Sequence, residues 1–172
     1  MRARLRGWRL ALVLVGAVAV GAGVQAAYAA VAGVTTTSGG AIAAVAVARG
    51  TVATDTTSGT FVPLPGGRLT MKGRGLLLIR FTAESECSSS SPTGDYCSVK
   101  IMVDGVQAKP DSGFDYAFDT DDGGSWEGNA MDRSIKVGPG LHTIQVEYAT
   151  TNNGATDFRL DDWSLTTERA IA

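Results

Sequence analysis

The stretch GLLLIRFTAES (residues 75–85) has four consecutive apolar residues after its glycine and then alternates apolar with polar side chains through Phe81 and Ala83. Alternation of this kind has the two-residue period of a β-strand. Because the first half of the stretch is apolar on both faces, both faces must be covered. The stretch therefore predicts a strand in the middle of a β-sandwich.

The segment SVKIMVDG (98–105) alternates along its whole length. Val99, Ile101 and Val103 fall on one face, and polar side chains fall on the other. We expect this strand to be the antiparallel neighbour of residues 75–85, with the intervening loop as the connection.

Two further segments follow the same period. FDYAFD (114–119) predicts a strand with Phe114, Tyr116 and Phe118 facing inward and Asp115 and Asp119 facing outward. RSIKVGPGLHTIQVEYAT (133–150) reads as two strands around a Gly-Pro-Gly turn. His142, the only histidine, shares parity with the apolar residues after it, so we expect a partly buried structural histidine. No stretch has a sustained period of 3.6 residues with caps, so helix should be minimal. At least seven short strands then favour an all-β fold, an antiparallel jelly-roll-like β-sandwich.

The last predicted strand, TDFRLDDWSLTTER, contains a change of parity. Phe158 and Leu160 share one parity, whereas Trp163 and Leu165 share the other. The buried face can be continuous only if one residue is inserted between Leu160 and Trp163. We therefore expect a β-bulge at the aspartate pair there, which bends the strand and turns a carboxylate outward.

Cys87 and Cys97 bracket nine residues, SSSSPTGDY, that read as a polar loop. In an exported protein, an even pair this close is most simply a structural disulfide at the base of the loop. A redox-active pair usually has only two residues between its cysteines.

The N-terminus is typical of a secretory signal. Four arginines precede an apolar run of fifteen residues (10–24), which is shorter than the ~20 residues of a membrane-spanning helix. Small residues at Ala27 and Ala29 predict cleavage after Ala29. Residues 1–29 are thus assigned as a signal peptide, and the mature chain is expected to be secreted and extracellular, without a stable membrane span.

The mature chain is divided into a leader and one domain. Residues 30–40 are mostly Ala, Thr, Gly and Val and are predicted to be a flexible leader, and residues 41–172 are assigned to the β-sandwich. AIAAVAVA (41–48) is a candidate first strand, with small side chains that give it little to pack with. About 140 residues remain after cleavage, which is enough for a single core.

Charge argues against nucleic acid as a partner. The signal peptide holds four of the fifteen basic residues and none of the seventeen acidic ones, so the mature chain has a formal charge of 11 − 17 = −6. Its eleven basic side chains are scattered, whereas phosphate binding requires a cluster. We therefore expect no nucleic-acid partner.

Four phrases carry a resemblance to known proteins: residues 59–85, 97–105 (CSVKIMVDG), 137–148 (VGPGLHTIQVEY) and 158–165 (FRLDDWSL). They resemble secreted, uncharacterised β-sandwich proteins of actinobacteria and, more distantly, the jelly-roll heads of the complement and tumour-necrosis-factor type. The distant resemblance implies a trimer-forming, non-catalytic module. The collagen-like Gly-X-Y repeat that often precedes such heads is not found in this sequence.

The acidic stretch FDTDDGGSWEG (118–128) raises the question of calcium. An EF-hand loop started at Asp119 is matched at Asp121 and Gly124, but alanine stands at position 130, where the bidentate glutamate is needed. The stretch is therefore interpreted as a solvated turn whose glycines supply positive φ. Calcium held by carboxylates from several loops stays open, and no other cofactor or metal is expected.

Catalysis has little support in the sequence. Asp115 and Asp119 would lie ~13 Å apart on one strand face, farther than the ~5–9.5 Å of a glycosidase pair. There is one histidine, no G-x-S-x-G motif and no cysteine expected to be free. A hydrolase with carboxylates from different strands is the least favoured alternative.

Binding is the remaining class. Trp126, Trp163 and Tyr96 are the large aromatics expected to reach the surface, with a core position as the other interpretation of the tryptophans. Trp126, Asp119 and Asp121 are the candidate ligand contacts. We predict a non-catalytic interaction module, acting by protein contact or self-association into a homo-oligomer. The alternative is a module that binds a cell-surface glycan, with or without calcium.

Overall fold

The structure is a computed structural model that describes residues 40–90, 95–121, 123–152 and 154–171. The predicted signal peptide (1–29) and the predicted leader, apart from Gly40, lie outside the described residues.

Ten strands and one short 3₁₀ turn form the secondary structure of the described residues, which contain no α-helix. The strands are β1 (Ala41–Gly50), β2 (Thr54–Thr56), β3 (Val62–Lys72), β4 (Gly75–Ser89), β5 (Tyr96–Val103), β6 (Val106–Gln107), β7 (Asp119–Thr120), β8 (Glu127–Val137), β9 (Leu141–Thr150) and β10 (Thr156–Ile171).

The strands form two antiparallel sheets. Sheet A has the order β1-β10-β4-β8, with β2 also paired to β10, and sheet B has the order β3-β9-β5-β6, with β7 also paired to β5. Setting aside the short β2 and β7, the first strand pairs with the last, the second with the seventh, the third with the sixth and the fourth with the fifth. This nesting is one long hairpin rolled into two sheets, which is the jelly-roll arrangement. The predicted all-β sandwich is confirmed.

The inner faces of the two sheets form one core. Alternation places the predicted apolar residues of β4, β5 and β9 inward, and each fully buried Leu, Ile, Val or Phe side chain stabilises the fold by ~1.5–3 kcal/mol. The largest fully buried side chains are Phe81, Phe158, Leu64, Leu77, Ile79, Ile101, Ile144, Leu160, Leu165, Val99, Val103 and Val146.

The predicted coverage of both faces of residues 75–85 is wrong. β4 does lie inside sheet A, between β10 and β8, but Leu78 is 41% exposed on the outer face. A run of leucines has side chains of both parities, and only one face of sheet A meets sheet B. Leu78 is therefore an apolar residue on a solvent-facing surface.

The disulfide between Cys87 and Cys97 is confirmed, with Cα atoms 5.9 Å apart and both residues buried. The prediction that it joins neighbouring strands is wrong, because Cys87 lies on β4 of sheet A and Cys97 on β5 of sheet B. The actual partners of β5 are β9, β6 and β7. A short connection can cross between sheets as readily as within one, so this bond ties the two layers together.

The β-bulge in β10 is confirmed. The register between β10 and β4 shifts between Asp161 and Ser164, and Asp162 adopts a φ of +42° with its side chain exposed. The shift returns Trp163 and Leu165 to the buried face. The indole of Trp163 lies against the backbone of Gly50, at the end of β1.

The strand predicted over residues 114–119 is mostly wrong. Gly113–Asp115 form the 3₁₀ turn, and only Asp119–Thr120 are extended and paired, as β7. Phe118 does point into the core, where its ring lies 5.7 Å from that of Phe81. The ring of Phe114 instead packs on Phe61, 4.4 Å away between centroids. Alternation therefore predicted the inward position of Phe118 but not the backbone of this loop, and the outward position predicted for Asp119 is wrong because Asp119 is buried.

Candidate interaction surface

The outer face of sheet A has an apolar corner formed by Ile42, Val45, Val47 and Leu78. These four side chains are between 41% and 58% exposed. In the register of the sheet, Val45 and Leu78 lie on either side of Glu168, and Val47 lies beside Thr166. We call these four residues the apolar corner; three lie on β1 and Leu78 lies on β4, with β10 between the two strands.

The apolar corner exists because β1 has a reversed pattern. Its inward residues are Ala44, Ala46 and Ala48, which pack against the core, and its outward residues include Val45 and Val47. A strand that made apolar contacts only in the core would place its larger apolar side chains inward. Exposed apolar side chains that cluster on one face are typical of contact surfaces.

The apolar corner borders an open groove of about 400 Å³. The groove crosses the outer face of β10, β4 and β8 and ends at the segment containing Lys109 and Pro110. Its lining residues are Leu78, Ile79, Arg80, Lys109, Pro110, Asp132, Arg133, Ser134, Thr166 and Glu168. Aromatic side chains do not line this groove, which lacks the ring platform used by many glycan sites.

The two carboxylates of the groove are not placed as a hydrolytic pair. Asp132 on β8 and Glu168 on β10 are separated by β4 and by a stagger of two residues, so their Cα atoms lie ~12 Å apart. The Oδ1 atom of Asp132 is paired with Nε of Arg80 at 2.9 Å, and both side chains are largely exposed. The groove therefore does not present the isolated, buried acid that a glycosidase needs.

Of the candidate ligand contacts in residues 118–128, Asp119 lies on β7 and Asp121 lies in the turn that follows it. Asp119 is buried and accepts a hydrogen bond from the Thr120 amide at 2.7 Å. The Oδ1 atom of Asp121 accepts one from the Gly123 amide at 3.3 Å, and Gly123 and Gly124 both adopt a φ of +88°. The interpretation as a solvated turn is therefore wrong for Asp119, whereas the positive φ predicted for the glycines is confirmed.

Calcium binding stays a prediction. No three His, Cys, Asp or Glu side chains among the residues with described positions gather as metal ligands, and Asp122 lies outside those residues.

The predictions for the three aromatic residues have different outcomes. Trp163 is buried, so the expectation that it reaches the surface is wrong and its alternative core position is correct. Trp126 is 44% exposed in the loop before β8, and Tyr96 is half-buried at the start of β5. Trp126 thus remains the one predicted ligand contact with a substantial free ring surface.

A hydrogen-bonded cluster holds the base of the disulfide loop. The Oδ2 atom of Asp95 accepts hydrogen bonds from the hydroxyls of Ser89 at 2.7 Å and Thr156 at 2.8 Å. These hydrogen bonds, from Ser89 first and Thr156 second, hold the pKa of Asp95 below its ordinary value. The cluster joins β4 to the start of β10 and is structural.

His142 is also structural, as predicted. Its Nδ1 lies 2.6 Å from Oδ2 of Asp104, and its Nε2 lies 2.9 Å from the carbonyl oxygen of Gly138. The hydrogen bond to Asp104 is the main reason that the pKa of His142 is raised. The pKa of Asp104 is lowered, chiefly by the Thr143 amide and then by His142. The pair fastens the turn after β5 to the start of β9.

The sequence interpretation missed the apolar corner, although the parity of AIAAVAVA separates its inner alanines from Val45 and Val47. Leu78 shares parity with Arg80, which indicates the polar face of β4. Together, these two parities predict that Val45, Val47 and Leu78 are apolar side chains on the outer faces of their strands.

Comparison of the chain with models of known protein families gives no match, and comparison with curated proteins gives none either. Within the described residues, there is no helix with the length and apolar character needed to cross a membrane.

Proposed function

We propose that this chain is a secreted, non-catalytic β-sandwich module that acts through protein contact, with the apolar corner as its contact surface. The observation that carries the proposal is the clustering of Ile42, Val45, Val47 and Leu78 on one outer sheet face. Burying these side chains against a partner would remove apolar area from water, which is the main driving force for protein association.

The surroundings of the apolar corner have the composition of an interface rim. Arg49 and the Arg80–Asp132 pair lie beside the four apolar side chains, and Glu168 lies between Val45 and Leu78. Protein interfaces typically have an apolar centre depleted in charge and a polar edge. The disulfide between the layers supports the predicted export, since such bonds persist in oxidising compartments.

Glycan recognition is the alternative prediction, and the positions of its aromatic residues give it less support. Trp163 belongs to the core, and Trp126 lies in a loop without a second exposed tryptophan beside it among the described residues. The groove on the outer face of sheet A also has no aromatic side chain among its lining residues.

The test is binding of the fluorescently labelled mature chain to the envelope of the cells that secrete it. Val45→Lys places a charge in the apolar corner, and Val106→Lys is the matched control because Val106 is 59% exposed and lies on β6 of sheet B, whereas Val45 is 58% exposed. If the partner is a protein of the envelope, protease treatment of the envelope should abolish binding, Val45→Lys should weaken it at least tenfold and Val106→Lys should preserve it.

Binding that periodate oxidation of envelope sugars abolishes, but that protease spares, would instead support the glycan alternative. If Val45→Lys alters contact with neither the envelope nor another copy of the chain, the apolar corner is not a contact surface.

A further inference from the structure

The outer side of β1 is an open sheet edge. β1 pairs with β10 over almost its whole length, and no described strand pairs with its other side. Alternate residues of an edge strand direct their amide and carbonyl groups away from the sheet, where they are available to another strand. β1 is ten residues long and has Arg49 as its single charged residue.

The other described edges are protected. On β8, the amide of Lys109 donates to the Ser134 carbonyl and the amide of Ser134 donates to the Lys109 carbonyl, both at 2.8 Å. β3 contains Pro63 and Pro65 and has a break in its register with β9. The remaining side of sheet B ends in β6 and β7, which are two residues each. Covering segments, prolines, bulges and short strands are the usual means of preventing edge pairing.

We propose that β1 pairs with β1 of a second copy of this chain, antiparallel and across a twofold axis, so that two A sheets join into one. The inference rests on the proposed function, because Val45 and Val47 belong to the apolar corner. It names the partner and the mode of contact.

The alternation of β1 makes the strand complementary to itself. In an antiparallel pair, directly opposite residues point to the same face, so Val45 of one copy can lie opposite Val47 of the other while Ala46 lies opposite Ala46. Valines then meet valines on the outer face, and alanines meet alanines on the inner face. A shift by one residue would place alanines opposite valines on the wrong face, which restricts the register.

Charge also favours a second copy. Residues 41–48 contain no charged side chain, so two β1 strands meet without like charges opposite each other at their centre. A ten-residue strand pair with the apolar side chains beside it is at the lower end of the size of specific interfaces. We therefore expect a dimer that forms at tens of micromolar and dissociates on dilution.

The test is analytical ultracentrifugation of the mature secreted chain over a hundredfold range of concentration. The wild-type chain and Val106→Lys should shift from monomer to dimer, whereas Val45→Lys should remain monomeric throughout, since edge lysines oppose strand pairing. Thermal midpoints of both variants within a few degrees of the wild-type value would show that the fold is intact.

A wild-type chain that is monomeric at every concentration overturns the inference, as does a Val45→Lys chain that dimerises normally. If the wild type is monomeric but Val45→Lys still weakens envelope binding, the apolar corner contacts a different protein and the proposed function stands. If Val45→Lys changes neither measurement, both the proposed function and this inference fail.

Discussion

β1 and β8 form the two outer edges of sheet A, yet they are built differently. β1 has one charged residue in ten, whereas β8 has four in eleven: Glu127, Asp132, Arg133 and Lys136. The outer side of β8 meets the Lys109 segment in one bridge at Ser134, and the outer side of β1 has no partner among the described strands. The unpaired edge of β1 among the described strands is the observation on which the proposed contact rests.

The two strands also differ in polarity. β8 turns Met131 inward and Asp132 outward, as expected for a strand with one wet face. β1 turns Ala46 inward and Val45 outward. Alternation alone therefore indicates a strand. Which of the two alternating sets of side chains is the larger and more apolar one indicates what each face contacts.

The largest expected effect on stability comes from removing the disulfide that joins β4 of sheet A to β5 of sheet B. Replacing Cys87 and Cys97 together by alanine should lower the free energy of unfolding by roughly 3 kcal/mol, because the ring no longer restricts the unfolded chain. Urea unfolding of the variant and of the oxidised wild type measures the loss. Since the bond joins β4 and β5, local unfolding should increase at both edges, and a loss confined to β1 would contradict this account.

The second largest effect on stability should differ between the β1 edge and the β8 edge of sheet A. A Cβ atom at Gly50 would lie 2.3 Å from Nε1 of the buried Trp163, whereas one at Gly128 would have nothing within 4 Å. Gly50→Ala on β1 should therefore cost about 1–3 kcal/mol through overpacking. Gly128→Ala on β8 should change stability by less than about 1 kcal/mol, in the stabilising direction.

Thermal or urea unfolding of the two glycine variants provides the comparison. Equal effects at Gly50 and Gly128 would mean that Trp163 does not hold the end of β1.

A third prediction concerns the pH dependence of folding stability, which should not involve β1 or β8. The pKa of His142 is raised by Asp104, so its contribution to stability is complete below its ordinary pKa of ~6.5 and is lost as pH rises through the raised value. The lowered pKa of Asp104 gives the opposite limit, with stability lost as pH falls below ~4.

Stability should thus decrease by about 1 kcal/mol or less from pH 6 to pH 9, and His142→Gln should remove most of that slope. Unfolding curves across this pH range measure the slope. A monomer–dimer equilibrium that follows the same titration would contradict the placement of the contact on β1, because His142 lies on β9 of sheet B.

The smallest effect is expected at the exposed ion pair on the face of β8. Asp132→Ala removes the contact with Arg80, whose side chain is also largely exposed, so stability should change by less than about 0.5 kcal/mol. Dimerisation should also be unchanged, since Asp132 lies three strands from the β1 edge. A loss of dimer in this variant would move the contact surface toward β8.

Most strands could be predicted from the sequence because alternation is a local property. The bulge near Asp162 followed from a change of parity within one strand. Sheet partners did not follow, because β4 and β5 are consecutive and alternate alike, yet they belong to different layers. Leu78 was assigned a covered position for the same reason, since no local signal states which side of a sheet has a second layer.

The candidate site was predicted less well than the fold. The sequence favours Asp119, Asp121 and the tryptophans as ligand contacts because carboxylates and indole rings are common ligand-binding groups. The structure places Asp119 and Trp163 in buried positions and brings together valines and a leucine instead. Apolar side chains are common in any strand, so the sequence alone does not distinguish these four from core residues. The sheet face on which they lie and the unpaired edge of β1 make the distinction.

The most direct test of the β1 contact is hydrogen exchange of backbone amides in β1 and β8, measured at low and high concentrations of the wild-type chain. The account predicts that alternate amides of β1, those directed away from β10, exchange more slowly at high concentration, while the amides of β8 exchange at the same rate at both. Amides of β1 that exchange at the same rate at both concentrations would contradict it, as would equal slowing at the two edges.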